Sequence, residues 1–154
     1  MTCEFKTQRR VEFAETDCAG IAHFSVFFRY MEEAEHSFLR SLGLTVRKEQ
    51  GDGTVIGFPR LSARCEYSRS LKFEEVVEIH VWVSRKARKT IEYSFRFTSQ
   101  GREVARGQVV AIACRILEGR SIQSIPVPEA MDKALEEAAY PALVFHPENK
   151  GGGA

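Results

Sequence analysis

Glu15-Thr16-Asp17-Cys18-Ala19-Gly20-Ile21-Ala22-His23-Phe24 runs straight into a helical stretch from Ser25 to about Leu42. A carboxylate in a short Gly-containing loop therefore precedes a helix that is apolar along one face. The start of a helix gathers unpaired backbone N–H groups and a partial positive charge. Such a place can hold a developing oxyanion, and Asp17 beside it can attack a carbonyl or activate a water. The plain alternative is that Asp17 is a loop or cap residue, a common role for Asp near helix starts. Ser25 is the simplest cap, and His23 a loop residue that can shape a pocket or assist proton transfer.

Outward from this loop, the period of the apolar residues organises the chain. Phe24, Phe27, Phe28, Met31, Ala34, Phe38, Leu39 and Leu42 recur at three- and four-residue steps, and Gly43 is a natural stop. Upstream, residues 4–14 read as a strand with Val11 and Phe13 on one face. Downstream the period falls to two. Residues 60–69 form a plausible strand; Val77, Ile79, Val81 and Val83 alternate with polar residues, as do Ile91, Tyr93, Phe95 and Phe97. After a turn at Ser99-Gln100-Gly101-Arg102, a strand over 103–117 places Ala105, Gly107, Val109, Ala111 and Ala113 on one face. Small residues there let a thick helix lie close. Pro128 opens a short helix that runs to about Ala138.

One helix of about five turns must then be covered by a single sheet. A helix with its side chains is ~10–12 Å across, so the sheet must curl around it. The expectation is an α+β domain over residues 1–140: a curled antiparallel five-stranded sheet wrapped around one long helix. Residues 141–154 are expected to be a disordered tail, because the segment from His146 onward is polar and Gly-rich.

Composition narrows the function classes. The chain has 154 residues, 44% hydrophobic and 28% charged, with a net charge of +1. That gives no bulk electrostatic case for nucleic acid. No apolar run approaches the ~20 residues of a membrane span, and the N-terminus has no secretory apolar core. The four cysteines, Cys3, Cys18, Cys65 and Cys114, form no CxxC pair and read as reduced cytoplasmic thiols. His36 and His80 lack ligand spacing, so neither a metal nor a cofactor is expected. Cys18 adjoins Asp17, but no His–Cys pairing marks it as a nucleophile. Arg85-Lys86-Ala87-Arg88-Lys89 reads first as a solvated strand connection.

The strand–Asp-x-x-Gly–helix opening, Arg29-Tyr30-Met31-Glu32 on the helix, and Arg88-Lys89-Thr90 at a strand start resemble a known family. It is the 4-hydroxybenzoyl-CoA thioesterase-like branch of the hot-dog fold, which includes acyl-CoA thioesterases linked to the bacterial Tol–Pal system. The resemblance covers about residues 5–135. It implies the hot-dog fold, with Asp17 as catalytic carboxylate, Gly20 as the residue that turns the loop, and the backbone N–H near Phe24 as oxyanion donor, with His23 in the same loop. It implies that Phe27 helps wall an acyl pocket, that Arg88, Lys89 and Thr90 meet the CoA end, and that Glu32 plays at most a supporting part. The chain departs from the pattern at Phe24, where Tol–Pal-type relatives typically have His, at Val26, where Asn is usual, and at Ser70, where Pro is common. The activity implied is hydrolysis of an acyl-CoA by a homodimer or homotetramer. A non-catalytic acyl-CoA-binding or protein-interaction module, and a thioesterase acting on acyl-carrier protein, remain as alternatives.

Overall fold

The computed structural model describes residues 2–117 and 119–146. Strand β1 (Glu4–Arg10) leads through a 3-10 turn (Phe13–Glu15) to helix α1 (Val26–Ser41). Strands β2 (Lys48–Glu49), β3 (Val55–Gly57), β4 (Arg60–Tyr67), β5 (Val76–Lys86), β6 (Thr90–Ser99), β7 (Arg102–Ile112), β8 (Cys114–Leu117) and β9 (Ser121–Ser124) follow, then helix α2 (Glu129–Ala134). The main sheet has five strands in the order β1-β5-β6-β7-β4, all antiparallel.

The alternating residues form the inner face. Val77, Ile79, Val81, Val83, Ile91, Tyr93, Phe95 and Phe97 are buried and packed on α1. The helix contributes Val26, Phe27, Tyr30, Met31, Ala34, Phe38 and Leu39. Gly107 marks the closest approach: a Cβ there would collide with Met31 Sδ, and would also lie 3.2 Å from the Arg64 carbonyl. The run of small residues on β7 is thus what lets α1 sit down on the sheet.

Several expectations need correction. The first strand stops at Arg10. Val11 is fully buried, whereas Phe13 sits in the 3-10 turn, 75% exposed, edge-on to Phe73. Phe24 precedes the helix and is 62% exposed, while Tyr30 and Glu35 occupy core positions. The strand expected over 103–117 breaks at Ala113: its N–H still reaches the Lys89 carbonyl at 2.8 Å, but its own carbonyl turns away to accept the Ile125 N–H at 2.9 Å. The chain instead continues into a second sheet, ordered β2-β3-β8-β9. The terminal helix ends at Ala134, where the buried Leu135 turns extended and bridges Thr2. Residues 141–146, part of the segment expected to be a loose tail, are held against β4 and β7. Arg106 donates to the Val144 carbonyl at 2.8 Å and Arg64 to the His146 carbonyl at 2.8 Å. The remainder, 147–154, lies outside the described residues. Among the described residues, no helix is long and apolar enough to cross a membrane.

Candidate active site

Between the 3-10 turn and α1, the chain makes a tight hairpin. The Asp17 N–H donates to the Ile21 carbonyl at 2.8 Å, and the Gly20 N–H to the Asp17 carbonyl at 3.0 Å. Gly20 takes φ +77°, where a Cβ is penalised. Oδ1 of Asp17 accepts the Ala19 N–H at 2.8 Å. Oδ2 has no hydrogen-bond donor among the described residues, so one carboxylate oxygen is anchored and the other is open. The hairpin is clamped from outside, with the Ala22 N–H bonded to the Leu71 carbonyl at 2.7 Å and the His23 N–H to the Glu15 carbonyl at 2.8 Å.

Beneath the hairpin lies a polar brace. Glu15 accepts hydrogen bonds from Tyr30 (2.6 Å), Arg9 (2.6 Å) and the Glu12 N–H (2.9 Å). Burial works against the Glu15 charge, yet the Glu12 N–H, Tyr30 and Arg9 together hold its carboxyl below the ordinary value. Burial and the Glu15 charge push the Tyr30 phenol up. An ionised Glu15 therefore fixes the end of the chain from which the Asp17 hairpin springs.

The helix start is open. Ser25 makes no capping bond to the helix; its hydroxyl instead pairs with His23 Nδ1 at 2.8 Å. The Ser25 N–H also points at that nitrogen, at 3.3 Å, so Nδ1 acts as acceptor and the hydroxyl as donor. The Phe24 N–H finds no acceptor among the described residues. A donor at the positive end of a helix, without a side-chain cap, is suited to a developing negative charge.

Asp17 and Phe24 line one cleft of about 340 Å³, together with Phe27, Tyr67, Arg69 and Leu71. Phe27 packs edge-on against Tyr67 and Phe97, with ring centroids 5.1 and 5.3 Å away. The cleft thus joins a carboxylate, an open N–H and aromatic walls, the parts needed to bind and open an activated acyl group. His23 and Gly20 belong to the loop behind the lining.

Arg88, Lys89 and Thr90 are not in this cleft. Phe97 is at the cleft end of β6 and Thr90 begins that strand, so the two lie about 23 Å apart at ~3.3 Å per residue. Arg88 is exposed at the edge of a separate hollow of about 470 Å³ with Lys86 and Val127. Lys89 Nζ bonds the Ser124 hydroxyl at 2.9 Å. Tyr67 and Arg69 were absent from the sequence reading. The register of Cys65 and Tyr67 opposite the buried Gly107 and Ala105 was the signal available for Tyr67; nothing local marks Arg69.

Comparison with known proteins gives this geometry a family. A protein of Aquifex aeolicus (strain VF5) that bears an esterase name is 36% identical over 124 residues, covering 74% of this chain and 95% of that one. The 4-hydroxybenzoyl-CoA thioesterase of Pseudomonas sp. (strain CBS-3) is 26% identical over 129 residues, covering 79% of this chain and 89% of that one. The solved structure of BH1999 gentisyl-coenzyme A thioesterase superposes with a TM-score of 0.74 at 29% identity, covering 86% of this chain and all of that one. The fold is the hot-dog fold of these thioesterases. The family model described as the thioesterase-like superfamily matches residues 11–135, and the chain belongs to that superfamily.

Proposed function

We propose that this protein is an acyl-CoA thioesterase, R–CO–S–CoA + H₂O → R–COO⁻ + HS–CoA + H⁺, with Asp17 as its catalytic carboxylate. The observation that carries the reading is that Asp17, with one oxygen open, and the uncapped start of α1 share one cleft. The thioester oxygen is received by the Phe24 N–H. Asp17 then either attacks the carbonyl carbon, giving a mixed anhydride that water opens, or takes a proton from the attacking water. In both routes the C–S bond breaks and the thiolate leaves with a proton. The small cleft, walled by Phe24, Phe27 and Tyr67, and the names of the gentisyl- and 4-hydroxybenzoyl-CoA relatives favour a compact aromatic acyl group. A panel of aromatic, short-chain and long-chain acyl-CoAs, with free thiol followed, tests this. Turnover highest on the aromatic esters supports the reading. Binding without thiol release identifies a binding module, and release only from carrier-linked esters identifies an acyl-carrier-protein thioesterase.

Residues 1–140 are read as one hot-dog unit, and the four unpaired cysteines favour the cytoplasm. The working form is read as a homo-oligomer. Strand β4 is an edge of the main sheet, with Leu61 60% exposed, and unpaired edges favour pairing. A single chain also keeps Arg88 and Lys89 far from its own Asp17. A second copy is read as bringing them to the mouth of this cleft, at a seam between two subunits. Sedimentation at micromolar concentration is expected to give a dimer or tetramer; a stable, active 17.4 kDa monomer would remove the seam-located site.

Neutralising both cations, Arg88→Gln with Lys89→Gln, is expected to raise KM for CoA esters while kcat stays close to wild type. Phosphate contacts lie far from the carbonyl and act mostly as uniform binding. The penalty shrinks with pantetheine esters, which lack the nucleotide, and in high salt. Equal losses on CoA and pantetheine esters would assign the two residues to the strand connection instead.

A further inference from the structure

We propose that Tyr67 is the positioning residue that holds the oxyanion-binding turn in place, by donating its phenolic hydrogen to the Phe24 carbonyl across the cleft. The inference rests on the reading above that the Phe24 N–H receives the thioester oxygen.

Tyr67 ends β4, the edge strand, and its hydroxyl lies 2.8 Å from the Phe24 oxygen. That bond joins the two walls of the cleft: the sheet edge on one side, the helix start on the other. The peptide that carries the Phe24 N–H is already held at its own carbonyl, where His23 accepts the Val26 N–H at 2.9 Å. One residue earlier, the His23 N–H is tied to Glu15. Tyr67 adds the tie on the far side, at the next carbonyl. The turn 23–26 is then fixed at successive peptides, and the Phe24 N–H is left as its open donor. A donor fixed before the substrate arrives needs no reorganisation when charge develops on the thioester oxygen.

The tie is well built for this. The Tyr67 ring stands edge-on to Phe27, a buried residue in the first turn of α1, so packing sets the direction of the hydroxyl. Burial pushes the Tyr67 phenol up, so it stays protonated and can only donate to a carbonyl. Exposed Phe24 lacks packing that would hold its backbone by itself.

Tyr67→Phe keeps the ring and removes the hydroxyl. One such hydrogen bond is worth up to about tenfold. The expected result is a fall in kcat of about tenfold on the best aromatic ester, with KM changed less than about twofold, since the loss falls on the transition state. In the unliganded protein, the Val26 amide is expected to exchange with solvent about tenfold faster in the variant, read by NMR, because the turn it closes has lost its outer tie. Unchanged kcat, a rise in KM alone, or a fall in kcat with Val26 exchange unaltered would each overturn the proposal; the last two would make Tyr67 a wall of the acyl pocket. Wild-type protein that releases no thiol from any ester would instead defeat the hydrolase reading. The exchange comparison would then still decide whether Tyr67 holds the turn.

Discussion

Asp17→Asn is expected to lower kcat by about 10²–10⁴-fold while the fold and the affinity for acyl-CoA stay close to wild type. The size is that of removing a general base or nucleophile. The selectivity follows from the two oxygens of Asp17. Oδ1 accepts the Ala19 N–H, and the amide oxygen of Asn can take over that bond. The open oxygen becomes an NH₂ group, which can neither attack a carbonyl nor accept a proton from water. Asp17→Ala should behave differently, because it also strips the Ala19 N–H of its acceptor and loosens the hairpin that Gly20 turns. Comparing the two separates chemistry from scaffolding. Single-turnover thiol release gives the chemical step, and titration of an acyl-CoA into the slow Asn variant gives the affinity. An Asn variant with near-normal turnover would take Asp17 out of the mechanism. Loss of binding with an unchanged chemical rate would make it a substrate anchor.

The sheet and the helix were legible because their residues repeat. Period two at Val77–Val83 and Ile91–Phe97, and small residues from Ala105 to Ala113, place three strands and the face that receives α1. The hairpin was legible because Asp17 and Gly20 are chemically marked. What stayed hidden was held by partners distant in sequence. Strands β2 and β3 span two and three residues, too few for a period, and exist because β8 pairs with β3 and β3 with β2. Tyr30 and Glu35 interrupt the apolar stripe on α1 and read as polar positions; each is buried because a counterpart, Glu15 or Arg60, meets it from elsewhere. The reach from Tyr67 to Phe24 spans 43 residues, a separation no local pattern reports. Arg88 and Lys89 show the converse. Their charge is plain in the sequence, but charge alone does not tell which cleft, or which copy's cleft, they face.

Arg60→Met is expected to cost about 3–5 kcal/mol of stability near neutral pH. Glu35 is 1% exposed and lies on the buried face of α1. Arg60, at the start of β4, reaches it with Nη1 to Oε1 at 2.9 Å and Nη2 to Oε2 at 2.6 Å. Glu32 adds only a longer contact to Arg60, 3.8 Å. Met keeps the length of the stem and removes the guanidinium, so the variant leaves a buried carboxylate without its cation. Burial raises the Glu35 carboxyl above its ordinary value even with Arg60 opposing it, and without Arg60 it must rise further. A carboxyl raised in the folded state contributes stability below its unfolded value and loses it as pH rises through the folded one. The gap in melting temperature between variant and wild type should therefore be small near about pH 5 and widen toward about pH 8. A gap of roughly 10 °C at the upper end is expected for a domain of this size. Adding Glu35→Leu should recover most of it, since replacing both partners of a buried pair by apolar groups is often neutral or better. A gap independent of pH, with no recovery in the double variant, would show that Arg60 acts through packing of its stem and not through the Glu35 charge.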